Sequence, residues 1–386
     1  MREVSVIGIG QTPIKENWEL SLKELAGQAS LSAMENAKVQ TVDGVFVGNM
    51  MSGSANKQQH LGAYIADWIG VRFTNAMRVE SACSSGSAAF RAALMAVGSG
   101  QLDSALVVGV EKMTDSPSDE ITAQLATAAD ADWEQVHGIS FVALNALVMR
   151  RYMHEYGWEP KDFAYFTVNA HKNAMTNPNA RLHIPVTEAS YLKAPMITPP
   201  INLMDASSIG DGAAAVVIVP TEALAKFPEN PSMKVLGSGA ATDTIAVHDR
   251  KVPLYLSAAN KSVQQAYDQA KLVPKDIDIF ELHDAFTIMA ALSLEACGFA
   301  EQGKGPTFAS EEKISLKGEL PIATMGGLKA RGHPVGATGM YQIAEVYLQL
   351  TGQAGANQVE KARIAMTQNI GGSGSNLITH IFQVAG

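Results

Sequence analysis

Gly326-Gly327-Leu328-Lys329-Ala330-Arg331-Gly332-His333-Pro334-Val335-Gly336-Ala337-Thr338-Gly339 packs five glycines into fourteen residues. Such density requires tight backbone turns and the close approach of another chain segment or a ligand. At its centre His333 precedes Pro334, a residue suited to the first turn of a helix. Met340, Ile343, Val346 and Leu350 follow as the apolar face of that helix, and Ala362–Met366 reads as the next strand. The same order occurs once earlier. Cys83-Ser84-Ser85-Gly86 opens a small-residue helix through Val97, and the strand Ala105–Gly109 comes after it. In both places a reactive side chain stands three residues before a glycine, at a helix start, with a strand beyond. The pattern predicts an internal duplication and a layered α/β architecture rather than a sandwich or a bundle.

Working outward, Val4–Gly8, Ala213–Val219, Met233–Leu236 and Ile277–Leu282 are further strand candidates, and Leu22, Leu25, Ala26, Ala29 and Ala33 share one helical face. Phe227-Pro228-Glu229-Asn230-Pro231-Ser232 reads as a linker, because two prolines and polar residues oppose regular structure. It divides the chain into 1–226 and 232–386. Residues 116–200 differ in texture, with acids, aromatics and the turn-rich Asn177-Pro178-Asn179, and read as an excursion with its own helices. At roughly 150 residues per domain, the 386 residues give a prior of two to three domains. Hydrophobic residues at 47% and charged residues at 17% describe a core-rich chain. Two cysteines rule out a disulfide framework and a Cys-rich zinc fold. A net charge of −9 argues against a nucleic-acid backbone binder. No apolar run has the roughly 18 residues a membrane span needs, and the first residues lack a signal-peptide pattern, so the expectation is a cytoplasmic protein.

Four segments carry candidate chemistry. Cys83, at a helix start where free N–H groups favour a thiolate, is a nucleophile or else a small buried hydrophobe. His333 is a catalytic or a structural histidine. His283, in Glu281-Leu282-His283-Asp284-Ala285-Phe286, closes a strand where an active-site edge would lie, and Asp284 is expected to cap the following helix. Gln368-Asn369-Ile370-Gly371-Gly372-Ser373-Gly374-Ser375 offers N–H groups for an oxyanion, or is a plain loop. Gly8-Ile9-Gly10 follows a strand but has Pro13 where a dinucleotide fingerprint needs its third glycine. No set of His, Cys or carboxylates has metal-ligand spacing, so no metal and no bound cofactor are expected.

Together these segments resemble the thiolase family, nearest its sterol-carrier-protein-type and archaeal branches. Ser81-Ala82-Cys83-Ser84-Ser85-Gly86 is similar to the nucleophile motif. Leu203-Met204-Asp205 with Ile209-Gly210-Asp211-Gly212-Ala213-Ala214-Ala215 is similar to the mid-chain signature. His283-Asp284-Ala285-Phe286 and Gly332-His333-Pro334-Val335-Gly336-Ala337-Thr338-Gly339 resemble the two later motifs. The resemblance implies two βαβαβαββ halves in five layers, α/β/α/β/α, with a loop excursion that holds coenzyme A. It implies that Cys83 carries an acyl group from an acyl-CoA, that His333 takes the thiol proton, and that His283 and His333 hold the second thioester's carbonyl oxygen. The N–H groups of Cys83 and Gly371 would form the other oxyanion hole. Ser238 would touch pantetheine, His137 would lie near the substrate, and Lys172, Arg181 and Lys193 lie where phosphate contacts are plausible. A homodimer or homotetramer is also implied.

One departure stands out. The family's second catalytic cysteine is Asn369 at one of its positions and Ala285 at the other, and Cys297 sits in an apolar helix. Acyl transfer to Cys83 is therefore the firmer expectation, with condensation or thiolysis of acyl-CoA as the reaction. Two alternatives stay open. One is a thiolase-like retro-aldol lyase with a small zinc-containing OB-fold partner; the other is a CoA-binding scaffold beside an HMG-CoA-synthase-like partner.

Overall fold

The computed structural model of the chain describes residues 2–385. Its first elements are β1 (Val4–Gln11), α1 (Leu22–Asn36), β2 (Gly44–Gly48), α2 (Ser52–Ala55), α3 (Leu61–Trp68), β3 (Asn75–Val79), α4 (Ser85–Gly98) and β4 (Ala105–Glu111). The chain then passes through α5 (Ser118–Ala126), α6 (Phe141–Tyr156), α7 (Ala164–Ala174), α8 (Glu188–Leu192) and the ribbon β5 (Met196–Thr198) and β6 (Ile201–Asn202), before β7 (Gly212–Pro220). Next come β8 (Met233–Thr242), α9 (Ser257–Ala270), β9 (Ile279–Glu281), α10 (Thr287–Ala296) and α11 (Gly305–Ser310). The chain finishes with α12 (Thr338–Leu350), β10 (Ile364–Gly371) and β11 (Asn376–Val384).

The main sheet has the order β3-β2-β4-β7-β1-β8-β11-β10-β9, and its two ends mirror one another. Outward from the centre, β1 pairs antiparallel with β7, β7 antiparallel with β4, and β4 parallel with β2, which pairs parallel with β3. On the other side β8 pairs antiparallel with β11, β11 antiparallel with β10, and β10 parallel with β9. The counterpart of β3 is reduced to one parallel bridge, Phe280 to Ile322. The halves meet through only two β1–β8 pairs, Ser5 with Lys234 and Val6 with Met233.

Burial defines the layers. Alternate residues of β4 and β7 face α1 and α3 on one side, as Leu106, Val108, Ala213, Ala215 and Val217 do. On the other side Val107, Ala214, Val216 and Ile218 join Phe90 of α4 and Met340, Ile343 and Val346 of α12. Ile279, Ala365 and Phe382 of the second half close on the same two helices. Phe280, Met366, Leu377 and Ile381 face α9 and α10. That is α/β/α/β/α, with α4 and α12 as the shared middle layer. Strands buried on both faces need no polar alternation, which is why Ala213–Val219 is a continuous apolar run.

Glycine sets the tightest contacts. A Cβ on Gly10 would lie 2.2 Å from the Ala29 carbonyl oxygen, so the failed dinucleotide pattern is an α1-packing device. A Cβ on Gly339 would lie 2.6 Å from the Ser87 backbone nitrogen, where α12 crosses α4.

Several expectations need adjusting. The helix after His333 begins at Thr338, following a short 3-10 turn at Val335–Ala337. The strand expected at Ile277–Leu282 spans Ile279–Glu281, and that at Ala362–Met366 spans Ile364–Gly371. The glycine-rich turn after it closes a hairpin with β11, which the sequence reading passed over. The Phe227–Ser232 segment is docked against its surroundings. Asn230 Nδ2 donates to the Ala37 carbonyl, and Tyr347 Oη to that of Pro231.

Candidate active site

Cys83 sits on a strained turn between β3 and α4. Ala82 before it has φ +49°, a left-handed conformation that a non-glycine residue keeps only when its surroundings hold it. Three serines do so. Ser84 Oγ donates to the Ser81 carbonyl at 2.6 Å, Ser85 Oγ to that of Ala82 at 2.6 Å, and Ser81 N–H to Ser85 Oγ at 2.9 Å. The motif's small polar residues thus lock the turn, and α4 begins two residues after the cysteine.

His333 arrives from the other half on the glycine loop. Gly326, Gly327 and Gly332 have φ of +106°, +56° and +112°, and Gly336 leaves room for Glu111 and Asn49. Asp284 does not cap α10, whose N-cap is Phe286. Its Oδ1 instead accepts the Leu328 N–H at 2.7 Å, tying the His333 loop to the end of β9. From the first half, Glu111 Oε2 accepts the N–H of Gly336 at 2.9 Å. Beneath the loop Arg331 and Glu345 form a fully buried pair at 2.6 Å.

The two loops meet in a cavity of about 160 Å³ lined by Cys83, His283, Ala285 and His333 among mainly apolar side chains. Met113, Leu125, Phe141, Val142, Phe286 and Met289 give it walls from the segment after β4, the excursion helices, and α10 with its N-cap. Burial pushes the Cys83 thiol up to about 12, with Glu111 adding to the rise, while the N–H groups of Cys83 and Gly372 act against it. The expected helix-start thiolate is therefore outweighed by desolvation, and the resting group is a thiol.

Both histidines are neutral. Burial lowers His333 to about 3, and it holds His283 well below its ordinary range, with His333 and Arg331 contributing. Their rings lie 5.1 Å apart and nearly perpendicular, at 89°. Their outer hydrogen bonds differ in kind. Asn369 Nδ2 is 2.9 Å from His283 Nδ1, and an amide N–H can only donate, so that nitrogen is the acceptor and the proton sits on Nε2. Thr338 Oγ1 donates to the Pro334 carbonyl and lies 2.6 Å from His333 Nδ1. With Nδ1 held by that hydroxyl, Nε2 is the nitrogen of the His333 ring left for the cavity.

The other candidate residues fall variously. Gly371 ends β10, whereas Gly372, one residue on, lines the cavity beside the sulfur. Ser238 lies within β8, its Oγ accepting from Arg91 at 2.7 Å, and is not among the cavity residues. His137 is exposed in a 3-10 turn, and Arg181 is paired with Glu16 at 2.8 Å. Lys172 belongs to a different surface cleft, and Lys193 is exposed. Cys297 is buried beneath Gln368, whose Nε2 donates to its sulfur at 3.1 Å. The sequence reading missed Ser207, Ser208, Asn145 and Thr338. Ser207 and Ser208 stand between Asp205 and Gly210 in the mid-chain signature, which was the available signal. Asp211 of that signature accepts four N–H or O–H bonds from Asn17, Met113 and Thr114 and an ion pair from Lys112. It anchors the chain entering the excursion.

A partly buried cysteine beside two buried imidazoles, set between the duplicated halves of a five-layered α/β chain, has the make-up of an acyl-transfer site. Comparison with known proteins gives the family. The thiolase N-terminal domain matches residues 4–194 and the thiolase C-terminal domain-like family residues 239–384, and the chain belongs to the thiolase family. It is 42% identical to an acetyl-CoA acetyltransferase of Methanothermobacter thermautotrophicus over 99% of this chain and 100% of that one. It is 37% identical to another of Methanocaldococcus jannaschii, over 99% of each. Among solved structures, an Ltp2-ChsH2(DUF35) aldolase superposes with a TM-score of 0.85 at 25% identity, covering 99% of this chain and 98% of that one. Among the described residues there is no metal-binding cluster, and no helix is long and apolar enough to cross a membrane.

Proposed function

We propose that this thiolase-type acyltransferase works through an acyl group carried on Cys83, with acyl-CoA thioesters as substrates. The observation that carries the reading is the convergence of Cys83, His283 and His333 on one cavity, each imidazole held at Nδ1 by a side chain outside it. His333 Nε2 takes the thiol proton, which a group raised to about 12 does not lose unaided. The thiolate attacks the thioester carbonyl, and the N–H groups of Cys83 and Gly372 receive the developing oxyanion. His283 Nε2–H supports the carbonyl oxygen of the second thioester. On this reading residues 1–226 supply the nucleophile and 232–386 both histidines, so neither half is competent alone.

The test is the mass of Cys83 after exposure to acetyl-CoA, together with release of acetyl-CoA from acetoacetyl-CoA and free CoA. Wild type gains an acetyl group and turns over, and Cys83→Ala does neither. An undiminished rate in Cys83→Ala would overturn the proposal. Likeness to an aldolase at a TM-score of 0.85 favours a second reading, carbon–carbon cleavage with a DUF35-type partner. Cleavage of a 3-hydroxyacyl thioester without added CoA would establish it, and the retained Cys83 speaks for acyl transfer. The assembly we infer is a dimer. The edge strand β3 carries the half-exposed Met77, with fully exposed Phe73 just before it, and an open apolar edge invites pairing with a second copy. Sedimentation of Met77→Lys against wild type reads that association.

A further inference from the structure

The reaction needs a second proton removal, from the α-carbon of the acceptor thioester, and the cavity holds few groups able to do it. Its titratable lining is Cys83, His283 and His333, and no carboxylate is among the lining residues. Glu111 is not free to act, because its two oxygens accept N–H bonds from Met50, Met51, Gly336 and the Asn49 amide. Cys297 is 1% exposed and covered by Gln368. Ala285 lines the cavity with no ionisable group.

We propose that Asn369 is a positioning residue that fixes His283 as a proton donor and leaves His333 as the single base for both proton transfers. The inference rests on the Cys83 acyl-enzyme reading. Asn369 is fully buried on β10, at 0% exposure, so nothing from solvent replaces its amide at His283 Nδ1. Since the amide donates, His283 has no lone pair to turn into the cavity, where it presents Nε2–H. The Thr338 hydroxyl, 2.6 Å from His333 Nδ1, is able to accept from that nitrogen and so to leave the Nε2 lone pair for the cavity.

The proton count closes with one base. In the first half-reaction His333 Nε2 takes the Cys83 proton, and sulfur bonds to the acyl carbon. The bond from that carbon to the CoA sulfur breaks, and His333 returns the proton to the departing thiolate. In the second, Nε2 takes a proton from the acceptor's α-carbon while the electron pair moves to the enolate oxygen, against His283 Nε2–H. The enolate carbon then bonds to the acyl carbon, the Cys83 thiolate leaves, and His333 protonates it. His333 starts and ends each half neutral, as its burial favours.

Two measurements on the full chain test this. Long-range proton–nitrogen correlation spectra of histidine-labelled protein read the tautomers. His283 should carry its proton on Nε2 and His333 on Nδ1, and Asn369→Asp, which can only accept, should move the His283 proton to Nδ1. In the same variant acetoacetyl-CoA thiolysis should fall about 100-fold, the loss typical of one misplaced oxyanion donor, while acetyl exchange between acetyl-CoA and labelled CoA persists. Asn369→Leu removes the donor without adding charge and should show the same split. In Cys83→Ala, solvent deuterium should enter the acetyl methyl group and should stop doing so when His333→Gln is added. A His283 proton on Nδ1 in wild type, equal loss of exchange and thiolysis in the Asn369 variants, or deuterium uptake without His333 would each overturn the proposal. Absence of acetyl exchange in wild type would instead strike the acyl-enzyme reading beneath it.

Discussion

Thr338 decides what His333 is able to do. Its hydroxyl lies 2.6 Å from Nδ1 and 3.4 Å from the Pro334 carbonyl, and on the tautomer proposed above it accepts from Nδ1, so that the ring cannot turn that N–H into the cavity without losing a buried hydrogen bond. Valine has the same shape without the hydroxyl. Thr338→Val should slow acetylation of Cys83 by about 10–100-fold while the protein stays folded, since only the orientation of the base is lost. The rate of mass gain on Cys83 checks this, and an unchanged rate would remove Thr338 from the proton path. Sequence alone indicated Cys83, His283 and His333 because each stands at a strand end or a helix start, where geometry is legible from spacing. It did not indicate Thr338, whose place in the motif reads equally as a helix start. Nor did it give Asn369 a role. Asparagine in a polar, glycine-rich stretch reads as loop, and only the fold shows it buried on a strand against an imidazole.

At the scale of elements, helices α4 and α12 matter most, because each follows one of the reactive groups. Their crossing is fixed by glycines. A Cβ on Gly339 would come within 2.5 Å of Asn369 Oδ1 and 2.4 Å of Ser87 Oγ, besides the Ser87 backbone. Gly339→Ala should therefore cost about 1–3 kcal/mol by overpacking and should lower turnover disproportionately, because the strain falls on Asn369 as well as on the crossing. Urea unfolding and the thiolysis rate together test it; a stable variant with full activity would mean that the crossing has slack. The elements that were legible are those with a strong single pattern. Ala105–Gly109 and Ala213–Val219 are buried on both faces and read as strands at once. β3 has no buried residue and no alternation, and β11 carries Thr379, His380 and Gln383 among its apolar residues, so neither shows the period of a half-buried strand. The glycine loop reads as tight, but the helix after it waits for the 3-10 turn Val335–Ala337 and begins at Thr338. The loop is also held by Asp284, which reaches Leu328 from beyond β9, a contact no local pattern contains.

Over the whole molecule, burying titratable groups in the middle layer makes stability depend on pH. His380 on β11 is fully buried, its ring 4.9 Å from that of Phe90 and its Nε2 3.4 Å from the Ser87 carbonyl. Burial, with Arg91 nearby, lowers it from 6.5 to about 3. The unfolded chain then binds a proton that the folded chain refuses, so stability falls as pH drops from 6.5 towards 3. His283 and His333 act in the same direction. Buried carboxyls oppose them, and Glu281, Asp284 and Glu295 are raised by burial along with the two that shift furthest. Burial raises Glu111 to about 7 and Glu345 to about 8, so each contributes stability that is lost as pH rises from 4.5 through those values. The raw pH curve therefore mixes opposing slopes, and a difference between two proteins isolates one group. His380→Phe keeps an aromatic ring against Phe90 and Phe382 and removes the titration. Whatever its stability at pH 7.5, its unfolding free energy relative to wild type should rise by about 2 kcal/mol on moving to pH 5, which is one and a half pH units below 6.5 at about 1.4 kcal/mol each. Urea unfolding of both proteins at the two pH values measures it. A difference that stays constant with pH would mean that His380 takes up its proton in the folded protein as readily as in the unfolded chain.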